Sequence, residues 1–137
     1  MILIACIDDG GGMMFNGRRQ SRDSVLTKHI IGITAGKKLW MDKYSEKIFV
    51  SEKPGNLMIS PDPLTEAGKG DYCFTEDIQP GAYEDRIEMI MLYRWNRAYP
   101  SDLLFDIPLE EHGWKVSAAR DFAGTSHDKI TEEVYMR

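Results

Sequence analysis

The sequence predicts an α/β protein built on a mixed sheet. Three observations carry that prediction. Residues 2–7 (ILIACI) form a continuous apolar run, as expected of a central strand covered on both faces. Two segments with helical spacing, 23–35 and 42–49, alternate with strand-like runs through the first half. From residue 56 onward, strand-like runs follow one another without a long helical pattern between them.

In chain order, the first strand leads into a glycine-rich loop, DGGGMMFNGRRQSRD (9–23), in which Asn16-Gly17 is a common turn pair. In the helix that follows, Leu26, Ile30 and Ile33 recur at intervals of four and three, and Val25 and Ile31 widen the stripe. Ser21 or Asp23 can cap its start, and Gly36 suits a left-handed residue at its end. Lys38-Leu39-Trp40-Met41 reads as a short buried strand. Asp42 then caps a two-turn helix in which Tyr44 and Ile48 share a face. Pro54-Gly55 turns the chain into the strand NLMIS (56–60), 61–70 reads as loop, and DYCFTED (71–77) as another strand. IEMIMLYRW (87–95) is the longest strand candidate. Pro100 and Pro108 bound a loop containing LLF, and the C-terminal stretch reads as two strands joined around AGTSHD.

The 137 residues, 42% hydrophobic and 28% charged, match one globular domain spanning 1–137 with one substantial core. No apolar run approaches the ~18–20 residues that cross a bilayer. MILIACI lacks the basic flank of a signal peptide and runs into Asp8-Asp9, so the expected location is the cytoplasm. Cys6 and Cys73 lie in separate strand-like runs, which suits two buried free thiols.

The net charge of −5 is unevenly spread. Residues 18–53 carry nine Lys/Arg against four Asp/Glu, whereas 54–137 carry eight against sixteen. A basic segment on an acidic chain fits an anionic small ligand better than a nucleic-acid track, and it also allows basic and acidic faces of two copies to meet in a homo-oligomer. Within that segment Arg18, Arg19 and Arg22 can grip a phosphate or carboxylate bidentately, with a helix N-terminus beside them. Gly11 and Gly12, with Gly10 before them, allow close backbone approach to such a ligand, and Asn16 completes the loop. The same residues also read as an ordinary turn and helix start, since the loop lacks the Gly-Lys-Ser/Thr of a phosphate loop.

The element order, the loop 9–23, Leu39-Trp40-Met41-Asp42-Lys43, NLMIS, DYCFTED and the Trp-bearing last third together resemble the dihydrofolate reductase fold. The resemblance implies a shortened, mostly parallel mixed sheet with flanking helices and a C-terminal β-hairpin. It implies a pterin-site acid at Asp23 acting as proton donor, a basic residue at Lys43, and NADPH as cofactor. The sequence departs from the family in two places. Arg18-Arg19 stands where the family has Pro-Trp. The Gly-Gly pair that opens the cofactor's phosphate site is absent, with only ten residues between Asp77 and Glu88, too few for helix, strand and helix. These departures predict a protein that binds an anionic small molecule or nucleotide at residues 10–23 and is not a competent dihydrofolate reductase. A divergent NADPH-dependent reductase using Asp23 is the alternative.

The chain is also similar to short proteins with an RRQSRD box that carry the label ribonuclease Z. That family's zinc nuclease needs a dense His-x-His-x-Asp-His cluster, and His29, His112 and His127 are scattered. No metal site is expected: Asp8 and Asp9 are strand neighbours pointing to opposite faces. The three histidines read as surface or locally bonded groups, and the adjacent Ser126-His127-Asp128 is not how catalytic triads are assembled. Trp40, Trp95, Trp114, Tyr93 and Tyr99 read as core aromatics, not as a base-stacking platform, so nucleic acid is not an expected partner.

Overall fold

A computed structural model describes residues 1–137. Its strands in chain order are β1 (Ile2–Ile7), β2 (Gly12–Phe15), β3 (Arg18–Arg19), β4 (Leu39–Met41), β5 (Leu57–Ile59), β6 (Tyr72–Phe74), β7 (Met89–Arg94), β8 (Leu103–Leu104), β9 (Lys115–Phe122) and β10 (Ile130–Met136). The helices are α1 (Ser24–Ile33), α2 (Lys43–Phe49) and α3 (Pro63–Glu66), with 3₁₀ turns at Val50–Glu52 and Gly81–Arg86. Seven strands form one sheet in the order β5-β4-β6-β1-β7-β10-β9. The first five are mutually parallel, and β10 runs antiparallel to both β7 and β9. The predicted mixed, mostly parallel sheet with flanking helices and a C-terminal hairpin is therefore present.

β1 lies at the centre because both of its faces are apolar, and its side chains alternate between two cores. Leu3, Ala5 and Ile7 join Ile90, Leu92, Leu64 and Trp114 on one face. Ile4 joins Leu26 and Ile30 of α1, Ile48 and Phe49 of α2, and Phe74, Tyr93 and Trp95 on the other. Of the helical stripe read from sequence, Leu26 and Ile30 are buried, Ile31 and Ile33 are half-buried, and Val25 is exposed. Asp23 caps α1 by accepting from the Val25 N–H, and Asp42 caps α2 by accepting from the Ser45 N–H. Trp95, Trp114 and Tyr93 are buried, and Cys6 and Cys73 are free thiols.

Two sets of expectations are corrected. Most of the glycine-rich stretch is a β-hairpin, not a loop: Asn16 (φ 53°) and Gly17 (φ 71°) make a two-residue turn between Phe15 and Arg18. Two consecutive positive φ values match the twist of the flanking strands, which favours Asn-Gly there. β8, inside the predicted Pro-bounded loop, pairs with β2 to complete a small three-stranded sheet. The interval from Asp77 to Glu88 is too short for helix, strand and helix, as expected, and it leaves no gap in the sheet. β6 and β7 both pair directly with β1, so one short connection with a single 3₁₀ turn suffices. Second, 61–70 contains α3, and the longest strand is β9 with eight residues, not 87–95. β9 is exposed along nearly its whole length, so no continuous apolar run marks it.

Candidate functional site

The carboxyl ends of the central strands, where open α/β sheets usually take ligands, gather four polar clusters. The first is a closed turn at Asp8. Its Oδ1 accepts from the amides of Gly10 (3.0 Å) and Gly12 (2.7 Å), and its Oδ2 accepts from the Tyr99 amide (3.0 Å). The glycine amides that could have received a ligand anion already receive a carboxylate of the chain. Gly12 is packed so tightly that a Cβ there would lie 2.4 Å from Ser101 Oγ, while Gly11 stands free with φ +80°.

The second cluster centres on Asp23, which is 4% exposed. Oδ1 accepts from the amides of Val25 (3.0 Å) and Thr125 (3.0 Å). Oδ2 accepts from the Ser126 amide (2.9 Å), the Ser126 hydroxyl (3.2 Å) and His127 Nδ1 (3.1 Å). Burial alone would raise this carboxyl, but the Thr125 and Ser126 amides, His127 and the Val25 amide outweigh it and hold the group well below the usual carboxylate range. The turn can approach this closely only because residue 124 is glycine; a Cβ there would meet Asp23 Oδ2 at 2.4 Å. His127, read from sequence as a surface or locally bonded residue, is instead buried (2% exposed) and stacked on Trp95 at 4.5 Å. An ionised Asp23 only accepts, so the Nδ1 proton of His127 points to it and Nε2 faces Tyr99 Oη (2.9 Å) and Ser21 Oγ (3.2 Å).

The third cluster joins the hairpin to α2. Arg19 donates through Nε and Nη2 to the two oxygens of Glu76 (2.9 and 3.1 Å) and through Nη2 to the Tyr44 carbonyl (3.0 Å). Its guanidinium also lies 4.2 Å from the Tyr44 ring centroid. Next to Glu76, Asp77 keeps Oδ1 buried without a partner. Burial, a hydrogen bond with Asp42 and the charges of Asp42 and Glu76 push its carboxyl up to about 7.

Asp23 and Asp77 therefore shift stability with pH in opposite senses. Asp23 stabilises the fold above its ordinary value of 3.8, and that contribution is lost as pH falls through the acid range. Asp77, raised in the fold, gives a contribution fully present below 3.8 and lost as pH rises through about 7. Asp77→Asn is expected to stabilise the protein by about 1–2 kcal/mol at pH 8, after allowing for solvent screening, and by much less at pH 5. Urea denaturation at the two pH values checks this; equal effects at both would contradict it.

The fourth feature is a groove of about 320 Å³ lined by Phe15, Asn16, Arg18, Arg19, Gln20, Tyr99 and Pro100. Of the sequence-predicted residues it gathers Asn16, Arg18 and Arg19. Arg18 and Arg22 are exposed and form no ion pair, whereas the Arg19 charge is matched by Glu76. Arg22 and Asp23 line an adjoining narrow crevice with Cys6, Glu76 and Trp95. That crevice has room for only about 10 Å³, at most a single water. Lys43 lies in a separate groove of about 490 Å³ with Asp42, Tyr44 and Ser60, and Gly11 and Gly12 line neither groove. The largest groove, about 500 Å³ beside Met1, Lys69 and Glu88, is at the amino ends of the strands, away from all of these groups.

Ser21, Glu76, Asp77, Tyr99 and His127 are site residues that the sequence reading did not select. Their partners are distant: Ser21 and Asp23 meet His127 across more than 100 residues. No periodicity announces such a meeting. The density of hydroxyl and amide donors in AGTSHD was the one available signal.

Sheet order, helix placement and C-terminal hairpin define an α/β protein of dihydrofolate reductase-like fold. No protein-family model matches the chain, and neither does any curated protein. Among solved structures, dihydrofolate reductase from Enterococcus faecalis, complexed with NADP(H) and RAB-propyl, matches with a TM-score of 0.69 at 12% identity. The match covers 99% of this chain and 95% of that enzyme. At that identity the likeness is one of fold.

Proposed function

We propose that the protein binds a small anion with a flat apolar body, of which a mononucleotide is one example, in the groove between the β2–β3 hairpin and Tyr99-Pro100. The observation that carries this reading is the free guanidinium of Arg18 beside the 45% exposed ring of Phe15, in a groove of ligand size. Asn16 supplies a polar edge, and Arg22, also unpaired, lines the small crevice at Ser21. A planar guanidinium favours carboxylate or phosphate oxygens in pairs, and the aromatic wall favours a flat ligand body.

The residues after β6 do not fit NADP(H), which is bound in the Enterococcus structure. The strand runs into Glu76 and Asp77 where a phosphate site needs uncharged backbone donors. The Gly81 amide at the start of the following 3₁₀ turn already donates to Asp106 Oδ1 at 2.7 Å. Nor does Asp23 suit a proton donor to a bound ring: it is held ionised, and both of its oxygens accept bonds from the chain. Binding without nicotinamide redox chemistry is the reading these residues favour.

Calorimetric titration with phenyl phosphate at low salt tests it. The expected result is stoichiometric binding that weakens with salt and falls at least about tenfold in Arg18→Ala, the loss of one charge-assisted pair. Equal affinity in wild type and Arg18→Ala would sink the assignment.

A further inference from the structure

His127 brings together a hydroxyl, an imidazole and a carboxylate in an order that the binding reading does not use. Ser21 Oγ lies 3.2 Å from Nε2, and Nδ1 lies 3.1 Å from Asp23 Oδ2. The carboxylate is itself oriented by three backbone amides, and the ring by its stack on Trp95. A hydroxyl within hydrogen-bond reach of a base that a third group orients is the geometry that activates serine, whatever the fold and sequence order. Because Asp23 takes the Nδ1 proton's bond, Nε2 carries the lone pair and is the atom able to accept the Ser21 proton.

The surroundings supply the rest of such a site. Ser21 is only partly buried, whereas His127 and Asp23 behind it are closed to solvent. Gln20 and Tyr99, which line the groove, are its chain neighbour and its fellow partner on Nε2. The backbone N–H of Arg22, next after Ser21, has no acceptor within the chain, so one donor is free for a developing oxyanion beside the nucleophile. Ser21 itself lines only the crevice, which has room for a single water, and meets the groove through its neighbours Gln20 and Tyr99.

We propose that Ser21, His127 and Asp23 form a nucleophilic triad that hydrolyses small carboxylic esters bearing a negative charge. The triad stands on its own geometry; the anionic substrate class rests on the proposed role of Arg18. Ser21 Oγ attacks the ester carbonyl carbon while its proton passes to Nε2 of His127. The carbon–oxygen bond to the alcohol then breaks, and the leaving alkoxide takes that proton. Water, deprotonated at Nε2, attacks the acyl-Ser21 ester, and its proton returns to Ser21 as the acid is released. Tyr99, sharing Nε2 in the resting state, is a positioning residue.

The test is reaction of the whole protein with a fluorophosphonate, located by peptide mass spectrometry, together with hydrolysis of mono-p-nitrophenyl succinate. One adduct on Ser21 is expected in wild type, and none in Ser21→Ala. The ester rate should fall at least about 100-fold in Ser21→Ala, with its circular dichroism and melting temperature unchanged. A wild-type protein left unlabelled, or labelled elsewhere, would overturn the triad, even if phenyl phosphate still bound the groove. Labelling of Ser21 without phenyl phosphate binding would uphold the triad and remove the anion-binding reading instead. The labelling site is read in wild type, so the result does not depend on any variant folding.

Discussion

Asp23→Ala is expected to lower stability by about 3–5 kcal/mol, several times the ~1 kcal/mol of an ordinary helix cap. The difference lies in what the carboxylate touches. Its loss would leave the Val25, Thr125 and Ser126 amides and the Nδ1–H of buried His127 without their acceptor. It also loosens the β9–β10 turn at the start of α1, leaving only the Ser24–Thr125, Ser126–Arg22 and Ser21–His127 bonds to hold the two together. Asp23→Asn keeps the shape but puts an amide NH₂ in place of one acceptor, so it should fall between wild type and Ala. Urea unfolding of the three proteins checks the order. A cost for Asp23→Ala near 1 kcal/mol would mean that the turn holds without it.

Glu76→Ala should cost about 2–3 kcal/mol, discounted from a fully buried pair because Arg19 remains 18% exposed. Glu76 accepts from Arg19 twice and from the Ser45 hydroxyl at 2.8 Å, so its removal strands a guanidinium packed on Tyr44. The effect should localise to the hairpin, whose Arg19 amide donates to Tyr44 Oη at 2.7 Å, and faster hydrogen exchange over residues 12–19 would report it. In the double variant Arg19→Ala/Glu76→Ala the cost should be smaller than the sum of the singles, since no charge is left unmatched. Strict additivity would show that the pair is not coupled.

Much of the architecture was legible because it rests on periodicity. The apolar run of β1, the Leu26–Ile30–Ile33 stripe of α1 and the Asp42 cap of α2 each have one local physical cause, and each is found where the spacing puts it. The hairpin was not legible, because Gly12 and Arg18-Arg19 depress strand propensity while pairing with β8, Leu103–Leu104, supplies what the local sequence lacks. Asn16-Gly17 announced the turn without announcing its strands.

The candidate site was legible only in outline. Asn16, Arg18 and Arg19 do share a groove, yet the glycines expected to receive an anion hold Asp8, and Arg19 holds Glu76. Each of these partners comes from a different strand end, so their charges meet only once the sheet is formed. His127 shows the same limit most plainly: its sequence neighbours Ser126 and Asp128 suggested an accidental trio. The fold builds the trio from Ser21 and Asp23 instead.

Backbone amide chemical shifts, followed during separate titrations with phenyl phosphate and NADPH, distinguish ligand binding at the hairpin and α1 mouth from binding at the end of β6. Binding at the hairpin and α1 mouth predicts that phenyl phosphate moves resonances at residues 15–23, 99–101 and 125–127, and that NADPH leaves residues 75–86 unmoved. Saturable NADPH shifts at Thr75 to Arg86, with the hairpin silent to phenyl phosphate, would contradict it.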